Sequence, residues 1–202
     1  MLIVIEGLDG VGKSTIAKAL STRLNADFLS TPDPSLREAR KIIDKEYDDT
    51  PLARQLFYTS SVVHLSEKIK HLKEQGKVAV VDRYWLSTQV YHSWKCGGLH
   101  FQLSEVVNQI QQPDFTVYLT LPLSIRNARL QSREDNSIED ELTLSKDTDR
   151  WLDSAYQLFK TTKIAGHWIE IDASGEVNRI VDEIVEKTTR SKRHIWRQTN
   201  QS

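Results

Sequence analysis

The chain has 202 residues, with 27 Lys and Arg against 28 Asp and Glu, a formal net charge of −1 and 39% apolar residues. That length suits one packed domain, and the balanced charge excludes a broadly basic binder of nucleic acid or anionic membrane, so any polyanion site must be local. Cys96 is the single cysteine, which excludes an internal disulfide and a cysteine-based zinc centre, and no apolar run approaches the ~20 residues of a membrane span.

The chain opens directly on a strand-like run, Leu2 to Ile5, without a charged leader, so a cytoplasmic protein is expected. Lys13 to Leu24 reads as a helix and Phe28-Leu29 as a short second strand. Thr50 followed by Pro51 marks a helix start, an N-cap and then the one helical position that accepts proline freely. Leu56, Val62, Leu65, Ile69 and Leu72 keep one face of that helix, and Gly76 ends it. Val78 to Val81 predicts a strand, followed by a helix from about Tyr84 that breaks at Gly97-Gly98. Phe115 to Leu121 predicts another strand and Ser124 to Arg133 a helix; His167 to Ile171 is the last strand, with a helix to about Lys187.

This alternation predicts βαβ units. The expected fold is α/β, a three-layer P-loop NTPase fold with a five-stranded parallel sheet and helices on both faces. One domain would cover 1–188, with a small polar lid at about 133–143. A basic tail, 189–202, carries Arg190, Lys192, Arg193 and Arg197; it reads as a solvated extension or as a contact for a partner.

Glu6 to Thr15, EGLDGVGKST, contains G-x-x-x-x-G-K-[ST] as Gly7, Gly12, Lys13 and Ser14. Glycines at 7, 10 and 12 let the backbone bend so that N–H groups, Val11 and Thr15 among them, turn toward phosphate oxygens. The helix that starts here adds free N–H donors and a positive dipole end. Lys13 can reach the β- and γ-phosphates of ATP, and the Ser14 hydroxyl can bind Mg2+. Asp82 ends the strand Val78–Val81, where a carboxylate could hold that magnesium, or could cap the next helix; Arg83 beside it offers a planar fork suited to phosphate.

EGLDGVGKST together with DRYWLSTQVYH, Asp82 to His92, resembles the thymidylate kinase family of nucleoside monophosphate kinases. IEIDASGEV, Ile169 to Val177, resembles that family's last strand and adenine-side loop, and LPLSIRNARLQSR, Leu121 to Arg133, the approach to its lid. Within the family, DRYW-x-ST-x-x-Y and Leu56-Phe57-Tyr58 resemble the UMP-CMP kinase branch. The resemblance implies ATP with Mg2+ as donor and a pyrimidine nucleoside monophosphate as acceptor, dTMP or CMP/UMP. It implies that Asp9 lies between the two substrates, Arg83 holds the acceptor phosphate, Phe57 stacks on the base, Tyr91 faces the sugar and Ser87 fixes the loop. It also implies a homodimer, while the balanced charge and the absence of a long apolar run lead to no nucleic acid or membrane being expected as partner.

Some members of this family carry a catalytic arginine in the P-loop and others in the lid. No basic residue stands between Gly7 and Gly12, so the lid side is expected to supply it, from Arg133 first and Arg129 second, an i, i+4 pair on one face. On the acceptor side the sequence departs from the family. Ser61 stands where an arginine is common, Pro32 precedes Asp33-Pro34 where another is common, and His92 replaces a frequent glutamine; Arg37 or Arg40 could compensate from the next helix. Phe57 and Tyr91 could instead pack in the core. The fold could also serve a regulatory ATP-binding protein or a kinase for another small acceptor.

Overall fold

The structure is a computed structural model, in which residues 1–98, 103–132 and 143–199 are described, with side chains to residue 191. In chain order the elements are β1 (Leu2–Gly7), α1 (Lys13–Leu24), β2 (Asp27–Ser30), α2 (Arg37–Glu46), α3 (Pro51–Glu74), β3 (Ala79–Asp82), α4 (Trp85–Lys95), α5 (Ser104–Val107), β4 (Phe115–Thr120), α6 (Leu123–Gln131), α7 (Lys146–Phe159), β5 (His167–Asp172) and α8 (Val177–Thr199). The five strands pair in parallel in the order β2-β3-β1-β4-β5.

The inner strands β1, β3 and β4 are largely apolar because the sheet is covered on both faces there, while the edge strands β2 and β5 are partly exposed. All six residues of β1 are buried, and so are five of six in β4. Helix α1 packs with α8, while α3, α4 and α7 form a second packed group. Ile16 and Leu20 of α1, Val62, Leu65 and Ile69 of α3, and Ile180 and Ile184 of α8 complete the core. Each such side chain, fully buried, contributes roughly 1.5–3 kcal/mol.

The expected strands and helices are present, with informative differences. β1 runs two residues past Ile5, so Glu6 and Gly7 lie inside the sheet. α2 has no buried residue, although Ala39, Ile42 and Ile43 stand at helical spacing in its sequence. α8 continues past Lys187 to Thr199, since neither Gly nor Pro interrupts it. The central position of β1 brings its carboxyl end, where the glycine loop begins, beside the carboxyl ends of β3 and β4. In open parallel sheets that end carries the ligand crevice.

Candidate active site

The glycine loop is forced by close packing. Gly7 has φ 142°, and a Cβ there would stand 2.6 Å from the Leu119 carbonyl oxygen of β4. Gly12 precedes α1 with φ 96°, a left-handed turn that aims the first free N–H groups of the helix into the loop. Lys13 is buried; its Nζ donates to the Leu8 carbonyl at 2.8 Å and lies 3.7 Å from Asp9 Oδ1. Burial, aided by Arg83, outweighs the neighbouring carboxylates and pushes the ammonium down to about 8.

Across the sheet, Asp82 ends β3 and accepts a hydrogen bond from Ser14 Oγ on Oδ2. Its Oδ1 is buried without a hydrogen-bond partner among the described residues. A hydroxyl and a half-committed carboxylate suit Mg2+, which is held by one or two protein oxygens while phosphate and water complete its shell.

Arg83 connects β3 to α4 with φ 63°, unusual for a residue with a side chain and characteristic of functional turns. That turn sends its guanidinium onto Asp9, with which it forms an ion pair, and over the Tyr91 ring at 5.1 Å. Its Nη1 also donates to Ser87 Oγ at 3.4 Å. Burial would raise the Asp9 carboxyl, but Arg83 and Lys13 outweigh it and hold the group well below the usual carboxylate range. Burial, with Asp9 nearby, keeps the Tyr91 phenol protonated far above its ordinary value. Asp9, Lys13, Arg83, Ser87 and Tyr91, expected from separate motifs, thus form one cluster.

Glu6 is a site residue that sequence reasoning missed. It is fully buried, and its carboxylate accepts from Tyr84 N at 3.1 Å, Ser87 N at 3.3 Å and the Ser87 hydroxyl. Tyr156 of α7 adds its hydroxyl, 3.3 Å from Glu6 Oε2 and 2.8 Å from Ser87 Oγ. A carboxylate from β1 therefore caps the first turn of α4, which fixes the direction in which Ser87 and Tyr91 point. Burial raises the Glu6 pKa. A charged residue within an apolar strand was the available signal, since a buried carboxylate demands partners.

The arginines of α6 divide the work. Arg126 is buried and donates to Leu121 O at 3.0 Å and Asp9 O at 3.2 Å, and it pairs with Asp149 of α7. Arg129 donates to Val11 O at 3.2 Å and Ala173 O at 3.3 Å, tying the glycine loop to the loop after β5. Arg133 and nearly all of the expected lid lie outside the described residues.

On the acceptor side, Phe57 is half-buried on α3 and meets Tyr58 edge-on at 5.4 Å. Tyr58 accepts from Arg40 Nε at 2.9 Å and donates to Asp44 at 2.8 Å, which fastens α2 to α3. Ser61 Oγ donates to the Phe57 carbonyl of its own helix at 3.2 Å. Arg37 and Arg40 are both exposed on α2, and Arg40 is the one that reaches across to α3, through the Tyr58 hydroxyl.

The family model for thymidylate kinase matches residues 5–184. The chain belongs to the thymidylate kinase family. It is 30% identical over 214 residues to the thymidylate kinase of Mycoplasmopsis agalactiae, covering 96% of each chain. It is 29% identical over 204 residues to that of Mycoplasma mobile, covering 92% of this chain and 96% of the relative. Among solved structures, thymidylate kinase from Candida albicans matches with a TM-score of 0.69 and 23% identity, covering 96% of this chain and 92% of that one. Deoxyadenosine kinase from M. mycoides, solved with dCMP and dCDP, matches with a TM-score of 0.68 and 18% identity, covering 94% of this chain and 100% of that one. These two share its fold. The chain is an ATP-dependent nucleotide kinase of the nucleoside monophosphate class. Among the described residues no helix is long and apolar enough to cross a membrane.

Proposed function

We propose that the chain transfers the γ-phosphoryl group of ATP, with Mg2+, to a pyrimidine nucleoside monophosphate, dTMP before CMP or UMP. The observation that carries this is the Asp9–Arg83 pair, packed against Tyr91 and Ser87 and 3.7 Å from Lys13. An acceptor phosphate at Arg83 would face a donor phosphate in the glycine loop. The family match favours dTMP, since the relatives compared are thymidylate kinases.

The acceptor is a phosphate monoester with a second pKa of about 6, so its attacking oxygen is already ionised near neutral pH. No strong base is needed, which suits a cluster of cations without a poised histidine. Catalysis then rests on aligning two anions and balancing charge as the phosphoryl group passes. Lys13 and the loop N–H groups would hold the donor, and Arg83 the acceptor. Asp9 would orient Arg83 and Lys13 without taking a proton, because it is firmly ionised. Ser14 and Asp82 would hold Mg2+, whose charge supports the β- and γ-phosphates. Arg133 is assigned as the lid arginine, leaving Arg129 to brace the loop. A homodimer is also proposed, with twice the 23.2 kDa chain mass by sedimentation.

The test is ADP formation with ATP and magnesium across dTMP, dUMP, dCMP, CMP and UMP. Strong preference for dTMP supports the reading, and preference for CMP or UMP moves the acceptor to the other branch. No stimulation by any of them would sink it.

A further inference from the structure

The proposed acceptor side contains hydroxyls that are already engaged. Ser61 donates to the Phe57 carbonyl, and Thr88 Oγ1 to the Tyr84 carbonyl at 3.3 Å. The Tyr58 hydroxyl is held between Arg40 and Asp44. Several polar groups there are not: the Tyr91 hydroxyl and Thr59 Oγ1 are without a hydrogen-bond partner among the described residues, and beside them stand two basic side chains. Arg54 and His92 are each about 5% exposed, and both Arg54 Nε and His92 Nδ1 are buried without a hydrogen-bond partner among the described residues.

Their placement is specific. Arg54 lies three residues before Phe57, four before Tyr58 and seven before Ser61, so all four share one face of α3. His92 comes from α4 and meets the Tyr58 ring at 5.0 Å, which joins it to Phe57 through that ring. Arg54 Nη1 is anchored at 3.3 Å by Asp48, which leaves Nε as the spare donor. Gln55 and Gln89 also hold a spare amide atom each, but they pair with each other at 3.2 Å. Gln55 is two residues from Phe57, a spacing that turns it to another side of the helix.

A buried polar group without a partner carries a desolvation penalty, and such groups persist where a ligand supplies the missing bond. We infer that Arg54 and His92 read the edge of the acceptor base in this chain, a specificity role resting on the acceptor reading above. The guanidinium Nε–H suits an oxo group, which every pyrimidine monophosphate carries. The imidazole is neutral, because burial, with Lys95 and Arg54 beside it, pushes it down to about 3. A neutral ring can accept from a base N–H or donate to a ring nitrogen. Arg54 therefore sets affinity for pyrimidines in general, and His92 sets the choice between thymine or uracil and cytosine.

The experiment measures kcat and KM for dTMP, dUMP, dCMP, CMP and UMP in the parent, Arg54→Ala, Arg54→Lys, His92→Gln and Asp48→Asn. Arg54→Lys serves if the alanine variant fails to fold, and Asp48→Asn removes the charge of the anchor while keeping Nε. The assignment expects Arg54 variants to raise acceptor KM about tenfold, with kcat and the KM for ATP nearly unchanged. His92→Gln should shift the dTMP-to-dCMP ratio of kcat/KM by about fivefold or more. That ratio, taken within one preparation, is insensitive to how much of the variant is folded. An active parent whose variants keep acceptor KM and ratio within about twofold overturns the assignment alone. A parent with no monophosphate-dependent ADP formation overturns the acceptor reading as well.

Discussion

The proposed donor and acceptor halves of the site are built in different ways. The donor half is one contiguous loop between β1 and α1, closed by Ser14 and Asp82, and backbone N–H groups do most of its work. The acceptor half is assembled by side chains from α2, α3 and α4, locked together by Arg40, Asp44, Tyr58 and His92. A backbone cradle tolerates few changes, because Gly7 and Gly10 are fixed by what they touch and Gly12 by its left-handed φ. A side-chain cradle can change its occupant by exchanging one residue, provided the helices stay in place. On the proposed assignment, the phosphoryl-transfer machinery and the choice of acceptor would therefore be separable.

The largest effect that would sharpen this contrast is on the donor side. Lys13→Ala should lower kcat by about 10³-fold for every acceptor alike, measured as ADP formation at saturating substrates. A loss confined to one acceptor would break the division between halves. Next come the buried ties that keep the helices in place. Glu6→Gln leaves one oxygen where two accept, and turns an amide donor toward the N–H or O–H groups of Tyr84 and Ser87. It should destabilise the fold by about 2 kcal/mol in denaturant, and Tyr156→Phe by about 1 kcal/mol. Stability within a few tenths of the parent for both would show that α4 does not depend on this cap.

A smaller effect concerns pH. His92 falls from 6.5 to about 3 in the folded chain, so between those values the unfolded chain binds a proton that the folded chain refuses. Stability must then fall as pH drops below about 6.5, with a slope of up to ~1.4 kcal/mol per pH unit from this residue. His92→Gln should flatten the Tm profile between about pH 6.5 and 4.5. An unchanged slope would mean that the ring is not buried as described.

The same contrast explains what the sequence made legible. Gly7, Gly10, Gly12, Lys13 and Ser14 act within one turn of chain, so their spacing alone displays the cradle. β1, α1, β3 and β4 follow from apolar runs and helix signals close to where they lie. Glu6 and Tyr156 are 150 residues apart, and Arg126 bonds to Asp9 across 117. No local period reports such contacts. α2 buries no residue, so the short apolar period Ala39, Ile42, Ile43 does not report where the helix packs, and its Arg40 was found only as one of two alternatives. Arg54, three residues before Phe57, belongs to no motif, and only the folded chain shows that it is buried.

Arg83 has a consequence beyond catalysis. Its φ of 63° belongs to a region where a Cβ is unwelcome, at a cost of roughly 1–2 kcal/mol. In most helices and strands alanine outlasts glycine; at this junction the order should invert. Arg83→Gly and Arg83→Ala lose the same guanidinium and should be equally inert, yet the glycine variant should unfold at about 1 kcal/mol higher stability. On the proposed role, chemistry would have chosen the residue here against the preference of the backbone, and a selection for heat resistance alone would drift away from it.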